Sequence, residues 1–480
     1  MMTERGQIEF EKTLEAHSTP IADLVWYDLP VHGDERGWFK ENWQREKMTA
    51  LGLPDFGPVQ NNVSFNAQSG VTRGLHAEPW DKYVSLGAGR IFGAWRDLRE
   101  GSLTFGQTYT LEMDPSRSIF VPRGVANGFQ ALDDNTVYMY LVNDHWSPNP
   151  PEGSYGFINL ADSTNNIEWP IPLDKAIISD KDRVHQDFDH IVHIKPKKTL
   201  IAGANGQLGH ALAQLYPDAD LIDRDTLDIS DAETLHDARH WRDYGLILNA
   251  AAYTAVDLAE TPDGRRDSWQ ANATAVANLA RIATEYGITL VHVSSDYVFD
   301  GTQDNHAEEE PFTPLSVYGQ SKAAGDIAVA TTPRHYIART TWLIGNGNNF
   351  VRTMKSLAER GVKPSVVGDQ IGRLTFTETL ANGIKHLIDN KAPFGTYNLT
   401  NDGEPASWAD IAKTVFEYSS KSRDDVNPVT TEEYYRDKEG IAPRPLSSAL
   451  DLSKIKATGF KPDDWRERLG AYLERPSKEV

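Results

Sequence analysis

The sequence predicts two domains: an all-β sandwich or barrel over residues 21–194 and an α/β doubly wound parallel sheet over residues 199–480. Three observations predict this. The chain has 480 residues, more than one ordinary core organises. From about residue 21 to 180, short runs rich in Val, Ile, Tyr, Phe and Trp alternate with Gly, Pro, Asn and Asp turns. Beyond residue 198, strand candidates alternate with helical stretches, the order that builds a parallel sheet.

Composition narrows the function. A net charge of −21 offers no basic footprint for nucleic acid. A phosphorylated ligand would need Arg, Lys or helix N-termini placed locally. The chain has no Cys, which excludes disulfide scaffolds, thiolate nucleophiles and Cys-ligated zinc. Residues 1–20 are polar and read as a disordered extension, not a signal peptide. No run approaches the roughly 18 apolar residues of a membrane span. A cytoplasmic enzyme is expected, with no membrane or nucleic-acid partner.

In the first domain, residues 83–98, 118–132 and 136–142 read as strands. Arg-Gly-Leu-His at 73–76 puts His76 at a probable strand end. A lone His is more often structural than catalytic. A cupin metal site needs two or three His and a carboxylate close together. The chain has no His-x-His, so no metal is expected.

Residues 195–198 read as a linker. Residues 199–215 then read as strand, Gly-rich turn and helix, with Gly203, Gly206 and Gly209 spaced G-x-x-G-x-x-G. Pyrophosphate must approach backbone closely at a helix N-terminus, which favours glycine there. By itself this motif also fits a plain βα turn. Asp223 lies about 20 residues on, where an acid meets a ribose hydroxyl. Arg224 beside it could meet a 2′-phosphate, so NADPH and NADH both stay open. Further strands are expected at 246–252, 290–296, 336–340 and 364–369. Tyr318 and Lys322 sit at i,i+4, on one helix face. An ammonium beside a phenol should lower its pKa and let it exchange a proton near neutrality. Ser295, at a strand end, offers a second donor.

These stretches, with 248–260, 292–301, 316–326, 338–345 and 444–451, resemble the extended short-chain dehydrogenases, specifically dTDP-4-dehydrorhamnose reductase, over roughly 198–475. The resemblance implies a catalytic set of Ser295, Tyr318 and Lys322. It implies NAD(P)H along Gly203, Asn205, Gly206, Gln207, Leu208 and Gly209, with Asp223, Arg224, Asp228, Ala250, Ala251, Ala252, Tyr318 and Lys322. Trp342 would line the sugar pocket. The family usually has Thr at the Ser295 position and Pro at the Leu374 position.

The first domain is similar to dTDP-4-dehydrorhamnose 3,5-epimerase over roughly 21–190. The likeness rests on 33–43, 59–64, 72–76, 81–92, 98–107, 121–129, 137–141, 167–170 and 179–182. It implies a cupin-type jelly roll, a homodimer through this domain, and no metal. His76 matches the general base and Asp182 its partner. Tyr140 matches the acid and Lys82 the group that steadies an enolate. Arg36, Glu41, Gln60, Asn62, Arg73, Asn127 and Lys181 match nucleotide-sugar contacts. Asn127 stands where the family has His, and the stretch between His76 and Lys82 is shorter than usual.

Together the two resemblances imply 3,5-epimerisation of dTDP-4-keto-6-deoxy-D-glucose and then reduction at C4, giving dTDP-L-rhamnose. The alternatives are a different nucleotide-linked 4-keto-6-deoxy sugar, epimerisation at a single centre, or a non-catalytic regulatory or binding protein.

Overall fold

The computed structural model describes residues 8–145, 154–191 and 193–474. The chain divides into two compact units, residues 1–196 and 197–480.

The first unit is a jelly roll of two antiparallel sheets. Its strands are β1 (Glu15–Ser18), β2 (Val25–Asp28), a small hairpin of β3 (Val31–Asp34) and β4 (Gly37–Lys40), β5 (Gln60–Asn66), β6 (Thr72–Ala77), β7 (Lys82–Ala88), β8 (Ile91–Asp97), β9 (Thr108–Met113), β10 (Arg117–Val121), β11 (Val125–Ala131), β12 (Thr136–Val142) and β13 (Gly156–Phe157). One sheet runs β1-β2-β10-β7-β12-β5 and the other β13-β6-β11-β8-β9. Inward residues alternate along each strand, as a two-layer sheet requires. Val84, Leu86, Ile119, Val121 and Tyr138 of the first sheet meet Ile91, Trp95, Val125 and Phe129 of the second.

The disordered extension expected over 1–20 is corrected from residue 8 onward. β1 pairs antiparallel with β2, and Lys12 bonds Asp28 at 2.7 Å. A polar strand is stable there because the β2 edge supplies its backbone partners. Residues 1–7 lie outside the described residues.

The second unit holds a parallel sheet built from β14 (Lys198–Ala202), β15 (Asp220–Ile222), β16 (Tyr244–Asn249), β17 (Thr289–Ser295), β18 (His335–Thr340) and the strand Gly395–Asn398, in the order β15-β14-β16-β17-β18 and then that last strand. Lys198 opens β14, so the expected linker 195–198 is shorter than the sequence suggests. Both faces of the sheet are covered. Ile201, Leu248, Val291 and Ala338 face the helices Gln207–Leu215 and Thr377–Asp389. Leu200, Ile247, Leu290 and Ile337 face the helix Ala275–Tyr286. This alternation explains the near-continuous apolar runs of β14, β16 and β17. The strand expected at 364–369 is Ser365–Val367, but it pairs with Asn427–Val429 and not with the main sheet. Leu374 is fully buried beside Ile344 and Phe376, so it serves a local core.

The chain starts the sheet one strand in from its edge, at β14, and builds β15 on one side and β16 on the other. That reversal leaves a crevice at the strand ends, where doubly wound sheets bind ligands.

Candidate active sites

The jelly roll encloses a cavity of ≈ 320 Å³. His76 on β6 and Asn127 on β11 line it from one sheet, and Lys82 on β7 and Tyr140 on β12 line it from the other. His76 and Asn127 are direct cross-strand partners. Gly74, at φ +115°, brings β6 against β11 so closely that a Cβ would lie 2.5 Å from the Gly128 Cα. Only glycine fits there, which explains the Arg-Gly-Leu-His run.

Asp182 arrives from a short helix, Asp180–Arg183, capped by Ser179, whose hydroxyl accepts from the Asp182 N–H at 3.1 Å. His76 Nε2 lies 2.9 Å from Asp182 Oδ1. A carboxylate only accepts, so Nε2 carries the hydrogen and Nδ1 keeps the lone pair. Burial alone would push Asp182 up. Its hydrogen bond and charge interaction with His76, the nearby His185 and the Gly74 N–H together hold it below the usual carboxylate range. Burial, reinforced by the Glu78 carboxylate, pushes the Tyr140 phenol up, so it stays protonated. The pair is suited to taking a proton at one wall while Tyr140 holds one at the other.

The ground for expecting no metal does not hold. His76, Asp182 and His185 bring potential ligand atoms within 4.8 Å of one another. Two imidazoles and a carboxylate converge without any His-x-His, because the chain returns to β6 from far along the sequence.

The expected sugar contacts divide. Arg73 and Asn127 line the cavity, and Asn127 Nδ2 donates to the Tyr138 hydroxyl at 3.1 Å. Arg36, Glu41, Gln60, Asn62 and Lys181 are not among its lining residues. Arg36 is solvent-exposed and tied to Asp34, and Glu41 pairs with Lys47 at 2.8 Å. Gln60 donates to Asn62 at 2.8 Å, and Asn62 sits directly across from Tyr140. The Lys181 ammonium lies over the Phe157 ring at 5.3 Å. Sequence reasoning missed Glu78 and Tyr138, which do line the cavity. Glu78 forms an ion pair with Lys82. Its signal was the shortened stretch between His76 and Lys82.

In the second unit, a cavity of ≈ 330 Å³ lies at the crevice beside β14. Gly203, Gly206, Asp223, Arg224, Asp228 and residues 250–252 line it. Gly203 has φ +76°, and a Cβ on it would lie 2.5 Å from the Ala251 N. Gly206 caps the helix Gln207–Leu215, whose free N–H groups suit an anion. These features fit a dinucleotide. Asn205, Gln207, Leu208 and Gly209 do not line the cavity. Asn205 bonds the Asp223 carboxylate, and Leu208 faces the core.

Ser295 ends β17, and its hydroxyl hydrogen-bonds both Asp296, at 3.0 Å, and Tyr318. The expected lowering of the Tyr318 phenol is corrected. Burial pushes it up to about 12, against the opposing Ser295 bond. The reason is direction: Lys322 Nζ donates to the Val293 carbonyl at 2.6 Å and faces His292 Nε2 at 3.5 Å. Burial pulls Lys322 down to about 8. A phenol that stays protonated is a ready donor to a developing alkoxide. Trp342 adopts φ 43°, the left-handed region, and stacks on Trp408 with ring centroids 3.8 Å apart. His292 and Asp296 were missed. Both are buried, and burial raises Asp296 to about 6. Among the described residues, no helix is long and apolar enough to cross a membrane.

Comparison with known proteins finds relatives for both units. Residues 18–190 match the family model for dTDP-4-dehydrorhamnose 3,5-epimerase, and residues 197–477 match that for the RmlD substrate binding domain. The "Protein RmlC homolog" of Streptococcus pyogenes serotype M6 is 48% identical over 194 residues, covering 39% of this chain and 96% of that protein. The dTDP-4-dehydrorhamnose reductase of Aggregatibacter actinomycetemcomitans is 37% identical over 300 residues, covering 58% of this chain and 99% of that one. The crystal structure of the Bacillus anthracis dTDP-4-dehydrorhamnose reductase in complex with NADP superposes with a TM-score of 0.53 at 34% identity, over 58% of this chain and 100% of that one. This chain belongs to both families, the dTDP-4-dehydrorhamnose 3,5-epimerases through its first unit and the RmlD reductases through its second.

Proposed function

We propose that the chain is a bifunctional enzyme that makes dTDP-L-rhamnose from dTDP-4-keto-6-deoxy-D-glucose. One observation carries the reading furthest: the hydrogen-bonded His76–Asp182 pair and the protonated Tyr140 line one cavity from opposite sheets. The protons on C3 and C5 are acidic because the C4 ketone takes up the electron pair. His76 Nδ1 accepts such a proton, and Asp182 steadies the imidazolium. The electrons move into the ketone as an enolate, and Lys82 stabilises its oxygen. Tyr140 then gives a proton to the carbon from the other side, which inverts the centre.

The second unit completes the sequence. A reduced nicotinamide, when bound, supplies a hydride to C4. Tyr318 donates its phenolic proton to the resulting alkoxide, with Ser295 holding the oxygen. Gly203, Gly206 and the N-terminus of the helix Gln207–Leu215 cradle the pyrophosphate. The B. anthracis relative binds NADP, and Arg224 on the cavity wall gives this chain a partner for a 2′-phosphate. The sugar lies against Trp342. The need for reduced nicotinamide fits a cytoplasmic enzyme.

The same reading includes a homodimer through the jelly roll. β5 is an edge strand; Val63 and Phe65 on its outward face are 63% and 59% exposed, and Val59, just before it, is 49% exposed. An apolar row on an open edge favours a second copy. Arg36, Glu41, Gln60 and Asn62, outside the cavity in one chain, would then be available to a shared site. Light scattering of a Val63→Lys/Phe65→Lys variant should report monomer where the parent is a dimer.

Asn127 favours one second reading, epimerisation at a single centre, because it cannot carry the charge of the usual His. The test is direct. With dTDP-4-keto-6-deoxy-D-glucose and NADPH, loss of cofactor absorbance and NMR of the product should show dTDP-L-rhamnose. A product inverted at one carbon would support the second reading. No turnover of any 4-keto sugar would overturn both.

A further inference from the structure

We infer that Glu78 is a positioning residue for epimerisation, holding the Lys82 side chain so that it is aimed into the cavity where the enolate oxygen forms. The inference rests on the epimerase reading. Glu78 and Lys82 form an ion pair whose side chains are only 14% and 7% exposed. Both ends are fixed. Lys82 opens β7, paired with β10 and β12. The Glu78 carbonyl accepts from the Gly124 N–H at 3.2 Å. The four-residue connection between the strands is pinned by Asp81, which accepts from the Arg123 N–H at 2.8 Å and from Asn143 Nδ2 at 3.0 Å. Little side-chain freedom remains to be lost, unlike in a surface pair.

An ammonium has three donors. The ion pair with Glu78 keeps the head of the side chain at the cavity, with Nζ 5.5 Å from the centre of the Tyr140 ring. Two other buried lysines are held by backbone instead, Lys40 by the Leu86 and Pro115 carbonyls and Lys322 by the Val293 carbonyl. Of the three, Lys82 is the one with a carboxylate in ion-pair contact. Glu78 also acts on the acid, since its charge adds to burial in keeping the Tyr140 and Tyr138 phenols protonated. The remaining charged or titratable groups facing the cavity are Arg73, His76 and Asp182. Arg73 opposes Glu78 at Tyr140, and His76 and Asp182 are satisfied by each other.

The test tracks deuterium entry at C3 and C5 by NMR, with the full chain. Glu78→Gln should lower kcat about 100-fold with KM nearly unchanged, the scale of removing one stabilising donor from an oxyanion. Glu78→Asp should recover part of kcat. In a Lys82→Met background, Glu78→Gln should cost little more, because the two act as a unit. A loss that falls on KM and not on kcat, a loss that adds in full to Lys82→Met, or no loss at all would each overturn the inference. If the parent itself exchanges no deuterium, the epimerase reading fails, and this inference with it.

Discussion

Each unit buries a lysine at its reacting centre, and the two are treated in opposite ways. Lys82 meets the Glu78 carboxylate. Lys322 meets a carbonyl and an imidazole, and the Asp326 carboxylate acts on it only beyond ion-pair contact. The imidazole is the wrong kind of partner for a cation. Asn249 Oδ1 accepts from the Ala251 N–H at 3.1 Å, so its Nδ2 donates to His292 Nδ1, also at 3.1 Å. His292 Nε2 therefore carries the hydrogen and turns it toward Lys322. Burial, then the Lys322 charge, hold His292 well below its ordinary value. The contrast reflects the chemistry. An enolate is a full negative charge that the first unit must steady with its own groups. In the second unit, on the proposed reading, the alkoxide would be quenched by a proton from a buried phenol held at about 12.

The largest effect separates the two centres outright. Tyr318→Phe should remove reduction by about 10²- to 10⁴-fold, the range for a lost general acid, while deuterium still enters C3 and C5. Cofactor absorbance and NMR on one sample read both. Loss of exchange as well would mean that the two reactions are not separable. The converse is His76→Ala. Solvent exchange should fall by a similar factor, while an already epimerised 4-keto sugar is still reduced. Persistent exchange would remove His76 as the base.

A subtler effect tests Lys322 by pH. Where Lys322 holds the bound cofactor, as the family resemblance implies, reduction should decline as pH rises through about 8, at which Lys322 loses its proton. Lys322→Arg, if active, should shift that decline upward, since guanidinium stays charged. Stability should move the other way. Between about 8 and 10.5 the folded state binds fewer protons at Lys322 than the unfolded chain does, so stability climbs with pH across that window. Lys322→Met should therefore raise Tm most at neutral pH, and the gain should fade toward pH 10.5. A gain that is flat with pH would mean the penalty is not one of charge.

The same contrast governs what was legible in the sequence. Ser295, Tyr318 and Lys322 lie close along the chain, on one strand end and one helix face, so their spacing carries information. Their direction does not. Nothing in Tyr-x-x-x-Lys says that Lys322 turns to the Val293 carbonyl and leaves the phenol alone. In the jelly roll, His76 and Asp182 are 106 residues apart, and only the family resemblance joins them. His185 reaches the pair by the same return of the chain, which is why a rule based on His-x-His missed it. Glu78 and Lys82 stand at i,i+4, but across a strand connection and not along a helix, so helical spacing gave no hint of their contact. Gly74 and Gly203 were legible as glycines, and the backbones they admit were not.

The smallest effect concerns which cofactor the second unit prefers. Asp223 and Arg224 both line the cavity, but Asp223 is engaged by Asn205 and by the Asp225 and Thr226 N–H groups at 3.0 and 3.1 Å. A carboxylate committed to its own loop competes less well for a ribose hydroxyl, which leaves Arg224 to select the 2′-phosphate. Arg224→Ala should raise KM for NADPH about tenfold, as expected for one charge-assisted contact near solvent, and leave KM for NADH and both kcat values nearly unchanged. Because it touches neither lysine, deuterium exchange in the first unit should not move. A larger KM for NADH than for NADPH in the variant would instead assign the ribose contact to Arg224 and return the choice of cofactor to Asp223.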